Sequence, residues 1–323
     1  MKETGVGSQE IRNPEQNLLN PDSLYNARRK SHRRIRPICH MGPIRPILLD
    51  STRTSCDSPP VTYQTLQVSV ANYVACVELH RPDVHNAFNE TMIAELTDSF
   101  QALGSRTDVR AVLLTAAGKS FSAGADLNWM RKMAGFSDHE NRVDALSLAT
   151  MLRTIYSCPK PVVAQVQGDA YGGGVGLIAA TDIAVAAETS RFSLSEVKLG
   201  LIAATISPYV IRAIGERAAH RYLITAERFD AQEAYRIGLV HQIVPRDKLE
   251  ETVQSLLRAL LQNSPNAVTE SKRLVREVVD QPISDALLED TAQRIARVRA
   301  SDEGKEGVRA FLEKRKAKWQ TES

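Results

Sequence analysis

The sequence predicts an α/β fold with a helical C-terminal subdomain, and three observations point there. Between residue 62 and about residue 190, apolar runs of strand length alternate with segments whose apolar residues recur at helical spacing. Beyond Pro208 the pattern becomes almost wholly helical. No segment repeats at a fixed period, which fits one α/β core with a helical C-terminal subdomain. The expected organisation is a disordered basic N-terminal extension over 1–61, an α/β core over 62–262 and a helical C-terminal subdomain over 263–323.

The elements follow in order. LQVSV from Leu66 and YVACVEL from Tyr73 read as a hairpin with Ala71 and Asn72 in the turn, leading to Arg81-Pro82. Asn89 can accept a hydrogen bond from a free N–H of a first helical turn, and Met92, Ile93, Leu96, Phe100 and Leu103 then line one helix face. Val109 to Thr115 reads as a buried strand. Ser137 and Glu140 have the spacing of a capping box for a helix running towards Tyr156. Pro161 to Gln167 is a second apolar strand, closed by Gly168 and a glycine-rich turn. LIAATD then suggests a helix and IAVAA a strand, while Pro208 onward, Asp230 to Ile237 and Asp247 to Val279 are expected to be mostly helical.

Composition narrows the class. Of 323 residues, 43% are hydrophobic and 24% charged, enough apolar material for a packed core. No apolar run approaches the roughly 20 residues of a membrane-spanning helix, so no membrane partner is expected. The four cysteines, at 39, 56, 76 and 158, are too sparse for a disulfide scaffold and too scattered for a zinc site. A reducing, cytoplasmic setting without a structural metal is the expectation. Residues 1–60 carry ten Lys/Arg against six Asp/Glu and seven of the fourteen prolines, so the basic character comes from the front. Its run RRKSHRRIR at 28–36 lacks the interleaved aromatics of a nucleic-acid surface, and Glu3, Glu10 and Glu15 oppose a transit peptide. A solvated tail and no nucleic-acid partner are expected there.

The densest chemical signal is Gly168-Asp-Ala-Tyr-Gly-Gly-Gly-Val-Gly176, where a strand should turn into a helix. Glycines there let main chain approach a ligand, and helix-start N–H groups can receive an anion or oxyanion; a purely structural turn is the competing reading. Gly118-Lys119-Ser120 ends like a P-loop, but Leu113 stands where that motif needs glycine. There is no G-x-S-x-G elbow, and His80 and His85 do not form H-E-x-x-H.

Five blocks occur in the order and spacing of one enzyme family: ELHRPDVHNAF at 78–88, KSFSAGADL at 119–127, GDAYGGGVG at 168–176, FSLSEVKLGL at 192–201 and EGVRAFLEKRKAKW at 306–319. Over 62–323 the chain resembles the enoyl-CoA hydratase/isomerase, or crotonase, superfamily. The resemblance implies the ClpP/crotonase-like fold of repeated ββα units, a substrate that is a coenzyme A thioester, no redox or metal cofactor, and a homo-oligomer, trimer or hexamer. SAGADLNWMRKMA, the stretch from Ser195 to Tyr222 and TAERFDAQEAYRIGLV are most similar to bacterial methylglutaconyl-CoA hydratases of leucine or acyclic-terpene breakdown.

By the same resemblance, water adds to C3 of an enoyl thioester while two N–H groups, of Ala123 and Gly173, stabilise charge on the thioester oxygen. Glu196 is the catalytic carboxylate, with Leu194, Val197 and Leu199 expected to desolvate it. Where two-glutamate hydratases carry a second carboxylate this chain has Gly176, and Tyr171 is the candidate substitute donor. One carboxylate leaves three readings open: a hydratase, a Δ3-Δ2 enoyl-CoA isomerase, and a non-catalytic thioester binder. Coenzyme A is expected along Arg81, Asn86, Ala87, Ala125 and Asp126, with Phe311 and Lys314 closing over the nucleotide, often from a neighbouring subunit. A solvated helical face is the competing reading of the KRKAK run around Lys314. Arg131 and Lys132 are the nearest basic residues after the Ala123 loop; a solvated face is the competing reading of each, and Arg131 is the expected reader of a distal substrate carboxylate.

Overall fold

A computed structural model describes residues 62–320 of the chain; the expectations for the basic extension lie outside the described residues. The hairpin is present as β1 (Leu66–Ala71) and β2 (Val74–Leu79). Its turn sits one residue later than expected, because Ala71 pairs with Val74. Asn72 and Tyr73 take positive φ, 50° and 65°, as a two-residue hairpin with the twist of its strands requires.

The helix α1 (Glu90–Ser105) follows, capped by Asn89 Oδ1, which accepts the Met92 N–H at 2.9 Å. All five expected core positions of its stripe are buried. Next come β3 (Ala111–Ala116), the unforeseen short helix α2 (Leu127–Met133) and α3 (Asp138–Ser157), whose start carries the complete Ser137–Glu140 capping box. Then β4 (Val162–Val166), β5 (Ala170–Tyr171), α4 (Gly173–Ala179), β6 (Ile183–Ala187) and β7 (Arg191–Ser193) lead into a 3-10 turn at Glu196–Leu199. The helix expected from LIAATD thus begins earlier, at the second glycine of the triplet. The remainder comprises α5 (Ser207–Thr225), interrupted at Gly215, β8 (Phe229–Asp230), α6 (Ala231–Arg236), β9 (Gln242–Val244), α7 (Leu249–Leu261), α8 (Pro265–Val278), α9 (Asp285–Ala300) and α10 (Asp302–Leu312).

Six strands form the main sheet in the order β1-β2-β3-β4-β6-β9; β1 and β2 are antiparallel and every other neighbour is parallel. β5, β7 and β8 form a small second sheet. Side chains alternate across β3, so Val112 and Leu114 join the larger core, with Leu96, Phe100 and Leu152, while Ala111 and Leu113 pack with Leu249, Val253 and Leu257 of α7. With both faces covered, the strand is a continuous apolar run. Truncating a fully buried member such as Leu114 to alanine costs about 2–5 kcal/mol. Parallel pairing sends the chain off β3 and β4 at the same end of the sheet, where the loop 117–126 and the glycine-rich turn meet.

Candidate active site

Three segments are laced together at that end. Phe121 and Ser122 donate their N–H groups to Asp169 O (2.9 and 3.2 Å), and Tyr171 N–H donates to Ser122 O (2.9 Å). A parallel bridge joins Phe88 to Ala125, with Phe88 N–H on Gly124 O (2.6 Å) and Asp126 N–H on Phe88 O (2.8 Å). A β-carbon on Gly124, where φ is 84°, would stand 3.6 Å from Gly173 N and 2.9 Å from Tyr171 O. The Gly124–Ala125 backbone and the start of α4 are therefore neighbours.

The structure corrects the expected donor in this loop. Ala123 N–H is bonded to His85 O at 2.9 Å and is not free for a ligand. The bridge to Phe88 uses the groups on either side of Ala125 and turns the Ala125 N–H the other way, with no acceptor among the described residues. Gly173 N–H, at the first position of α4, also lacks one. Ala125, in place of Ala123, and Gly173 thus carry N–H groups without an acceptor among the described residues. The sequence held a signal for this: Ala123 and Ala125 both flank Gly124, and which of them faces outward depends on the strand parity that pairing with Phe88 sets.

Glu196 reaches the same place from the small sheet. Tyr171 pairs with Ser193, and Gly172 N–H donates to Ser193 O at 2.9 Å, which draws the following 3-10 turn against the glycine triplet. Glu196 Oε1 lies 3.1 Å from where a β-carbon on Gly172 would sit. Its Oε2 is buried without a hydrogen-bond partner among the described residues. Burial pushes the carboxyl above the ordinary glutamate range, against a smaller opposing effect of its own backbone N–H. Leu194 is buried, but Val197 and Leu199 are exposed, so the expected apolar collar is only partly present.

Other expected residues have different tasks. Tyr171 donates its hydroxyl to Asp169 Oδ2 (2.7 Å), which removes it as a free proton donor. A β-carbon on Gly176 would fall 2.2 Å from Ile206 Cγ2, so no second carboxylate fits there. Asn86 has no exposed surface; Oδ1 accepts Arg81 N–H, and Nδ2 donates to Ala117 O and Ser120 O. That side chain is structural and cannot touch coenzyme A. Ala87 is buried, and its carbonyl accepts from Arg81 Nη1 (2.5 Å). Arg81 Nη2 is bonded to Asp126 Oδ2 (2.9 Å), while Asp126 Oδ1 caps α2. Burial alone would raise the Asp126 carboxyl, but the Asn128 N–H, the Arg81 guanidinium and the Trp129 N–H together hold it below the usual range.

Arg131 is exposed and donates to Asn128 Oδ1 (2.6 Å), and its neighbour Lys132 is paired with Glu90. Phe311 is 82% exposed on α10, and Lys314 lies just beyond that helix. Arg110, at the start of β3, binds Trp319 O (3.0 Å) and Leu261 O (2.7 Å), and Trp319 packs on Gly307 of α10. α10 thus sits where β3 begins, whereas Glu196 sits past where β4 ends. Within one chain Phe311 and Lys314 do not close over Glu196.

Residues 69–322 match the family model described as enoyl-CoA hydratase/isomerase. The chain belongs to the enoyl-CoA hydratase/isomerase family. A solved enoyl-CoA hydratase from Shewanella pealeana is 47% identical, with a TM-score of 0.77 over 79% of this chain and 96% of that one. Pseudomonas aeruginosa AtuE is 35% identical, with a TM-score of 0.77 over 80% of this chain and all of that one. The crotonyl-CoA hydratase of Syntrophomonas wolfei is 32% identical over 259 residues, 80% of this chain and 98% of that protein. The fold is therefore the crotonase fold of this hydratase/isomerase family, with its helical C-terminal region.

Proposed function

We propose that the protein adds water across the 2,3 double bond of an enoyl-CoA thioester, with Glu196 as the only carboxylate in the reaction. The observation that carries this is the buried, unpartnered Glu196 Oε2 beside two acceptor-free N–H groups. In the forward direction Glu196 takes a proton from water as the water oxygen bonds to C3. The π electrons move to C2 and the thioester oxygen, whose growing charge the Ala125 and Gly173 N–H groups stabilise by donating hydrogen bonds to it. The same carboxyl then returns its proton to C2, so the atoms of water end on C3 and C2 and the glutamate is restored. A raised carboxyl pKa suits a group that must both take and give a proton near neutrality.

The closeness of Ile206 to Gly176 also favours a second reading, a Δ3-Δ2 isomerase in which Glu196 carries a proton from C4 to C2. Sequence resemblance supports 3-methylglutaconyl-CoA or a branched relative as the substrate, in leucine or acyclic-terpene degradation. In the same reading the protein is cytoplasmic and needs no redox or metal cofactor. The exposure of Phe311 supports a homo-oligomer, trimer or hexamer, in which Phe311 and Lys314 of one copy meet the nucleotide bound by another. Turnover of crotonyl-, methylglutaconyl- and 3-enoyl-CoA by the purified protein tests this. Hydration of a 2-enoyl thioester supports the proposal, and exclusive turnover of 3-enoyl-CoA would replace it with the isomerase.

A further inference from the structure

We propose that Arg81 and Asp126 are positioning residues that hold the Ala125 N–H in place, and are not ligands of coenzyme A. The inference rests on the proposed role of Ala125 and starts from where the two charged groups point.

The Arg81 side chain is 20% exposed and that of Asp126 6%, and their polar atoms are directed into the protein. Arg81 grips both edges of one short bridge, Ala87 O on one strand through Nη1 and Asp126 Oδ2 on the other through Nη2. Between those grips lies the Phe88–Ala125 pair, whose hydrogen bonds fix the peptide planes around Ala125. A planar guanidinium suits two acceptors at a set separation, which a lysine ammonium does not reproduce. The base of the clamp is also fixed, since Arg81 N–H donates to Asn86 Oδ1 (2.9 Å) and Asn86 is buried.

Asp126 links the clamp to α2, where its other oxygen accepts Asn128 N–H (2.7 Å). α2 has separate attachments: Trp129 Nε1 donates to Asp144 Oδ1 (3.0 Å), and Lys132 pairs with Glu90 of α1. Loss of the Arg81–Asp126 contact therefore loosens residues 124–126 while α2 stays docked. An oxyanion donor displaced by a fraction of an ångström loses most of its advantage, since stabilisation depends on aim.

The test uses the full chain with a chromophoric thioester, 4-(dimethylamino)cinnamoyl-CoA, whose absorption moves to longer wavelength as its carbonyl is polarised. Asp126→Asn keeps an oxygen to cap α2 and loses the ion pair; Arg81→Lys keeps the charge and loses the fork. Both variants should bind the probe within about threefold of wild type, lose at least half of its spectral shift, and lower kcat for hydration about ten- to a hundredfold at little-changed KM. Glu196→Gln should keep the full shift, which separates donor geometry from proton transfer. Variants that keep shift and kcat overturn the proposal, and so does a tenfold loss of affinity, which would make these residues ligands. A wild-type protein that binds the probe with no shift overturns the role of Ala125 itself, and the clamp with it.

Discussion

Gly176 and Ile206 interlock: a β-carbon on the glycine would lie 2.2 Å from Ile206 Cγ2 and 2.5 Å from its Cβ. Because the Cβ itself is in the way, no rotamer of Ile206 relieves the contact. Gly176→Ala should therefore cost about 3 kcal/mol, the upper end for an overpacked core, measured by urea unfolding. Ile206→Ala should not rescue it, because alanine keeps the β-carbon, whereas Ile206→Gly should. Glycine is tolerated at this position before α5, so the double variant Gly176→Ala/Ile206→Gly should show a favourable coupling of more than about 1 kcal/mol.

The two alanines beside Gly124 can be separated by removing one N–H at a time. Replacing residue 125 by lactic acid through nonsense suppression turns its amide into an ester without altering the side chain. At 125 this should lower kcat about 10²–10³-fold with little change in melting temperature, since that N–H has no partner among the described residues. At 123 it removes the bond to His85 O and should cost about 0.5–1.5 kcal/mol of stability with a much smaller kinetic effect. Equal kinetic losses at both positions would contradict the assignment.

Glu196 makes stability depend on pH in a direction that can be stated in advance. Its carboxyl is raised in the folded chain, so the protonated group favours folding below the unfolded value of about 4.3, and that contribution is lost as pH rises through the folded pKa. Relative to wild type, Glu196→Gln should gain stability as pH rises from about 4 through the folded pKa. Thermal melts of the two proteins across that range check it; a constant difference would show that burial does not perturb this carboxyl. The acid limb of kcat should likewise fall above the ordinary glutamate range.

The Lys272 side chain is 8% exposed and holds α8 to the main sheet through Asp182 Oδ2 (2.5 Å) and Lys160 O (2.9 Å). Lys272→Met leaves the Asp182 carboxylate with only the Val162 N–H among the described residues and should destabilise the protein by about 3 kcal/mol, the lower end for breaking a buried pair because Asp182 is partly exposed. Chemical denaturation measures it, and a loss under about 1 kcal/mol would mean the pair is screened by solvent.

Where a feature had a period or a local motif, the sequence was enough. The α1 stripe, the Asn89 cap, the Ser137–Glu140 box and the apolar run of β3 are each written within a few residues. The glycine triplet and Glu196 were found through blocks of residue types at fixed spacing. What stayed hidden depends on distant partners. Ala125 is turned outward by Phe88, 37 positions earlier; Arg81 meets Asp126 across 45 positions; Ile206 fills the space at Gly176 from 30 positions away. β5, β7 and β8, of two or three residues each, are too short to show alternation, yet they carry Glu196 to Gly172.

The central claim is that one carboxylate, Glu196, moves both protons. The most direct test is the rate at which Glu196→Gln hydrates crotonyl-CoA, followed by loss of absorbance of the conjugated thioester, with thioester binding measured in parallel by calorimetry. Binding should persist within a few-fold, while kcat falls about 10²–10⁴-fold, because an amide keeps the shape of the carboxylate and cannot carry a proton. A variant that retains more than about a tenth of wild-type turnover would contradict the account.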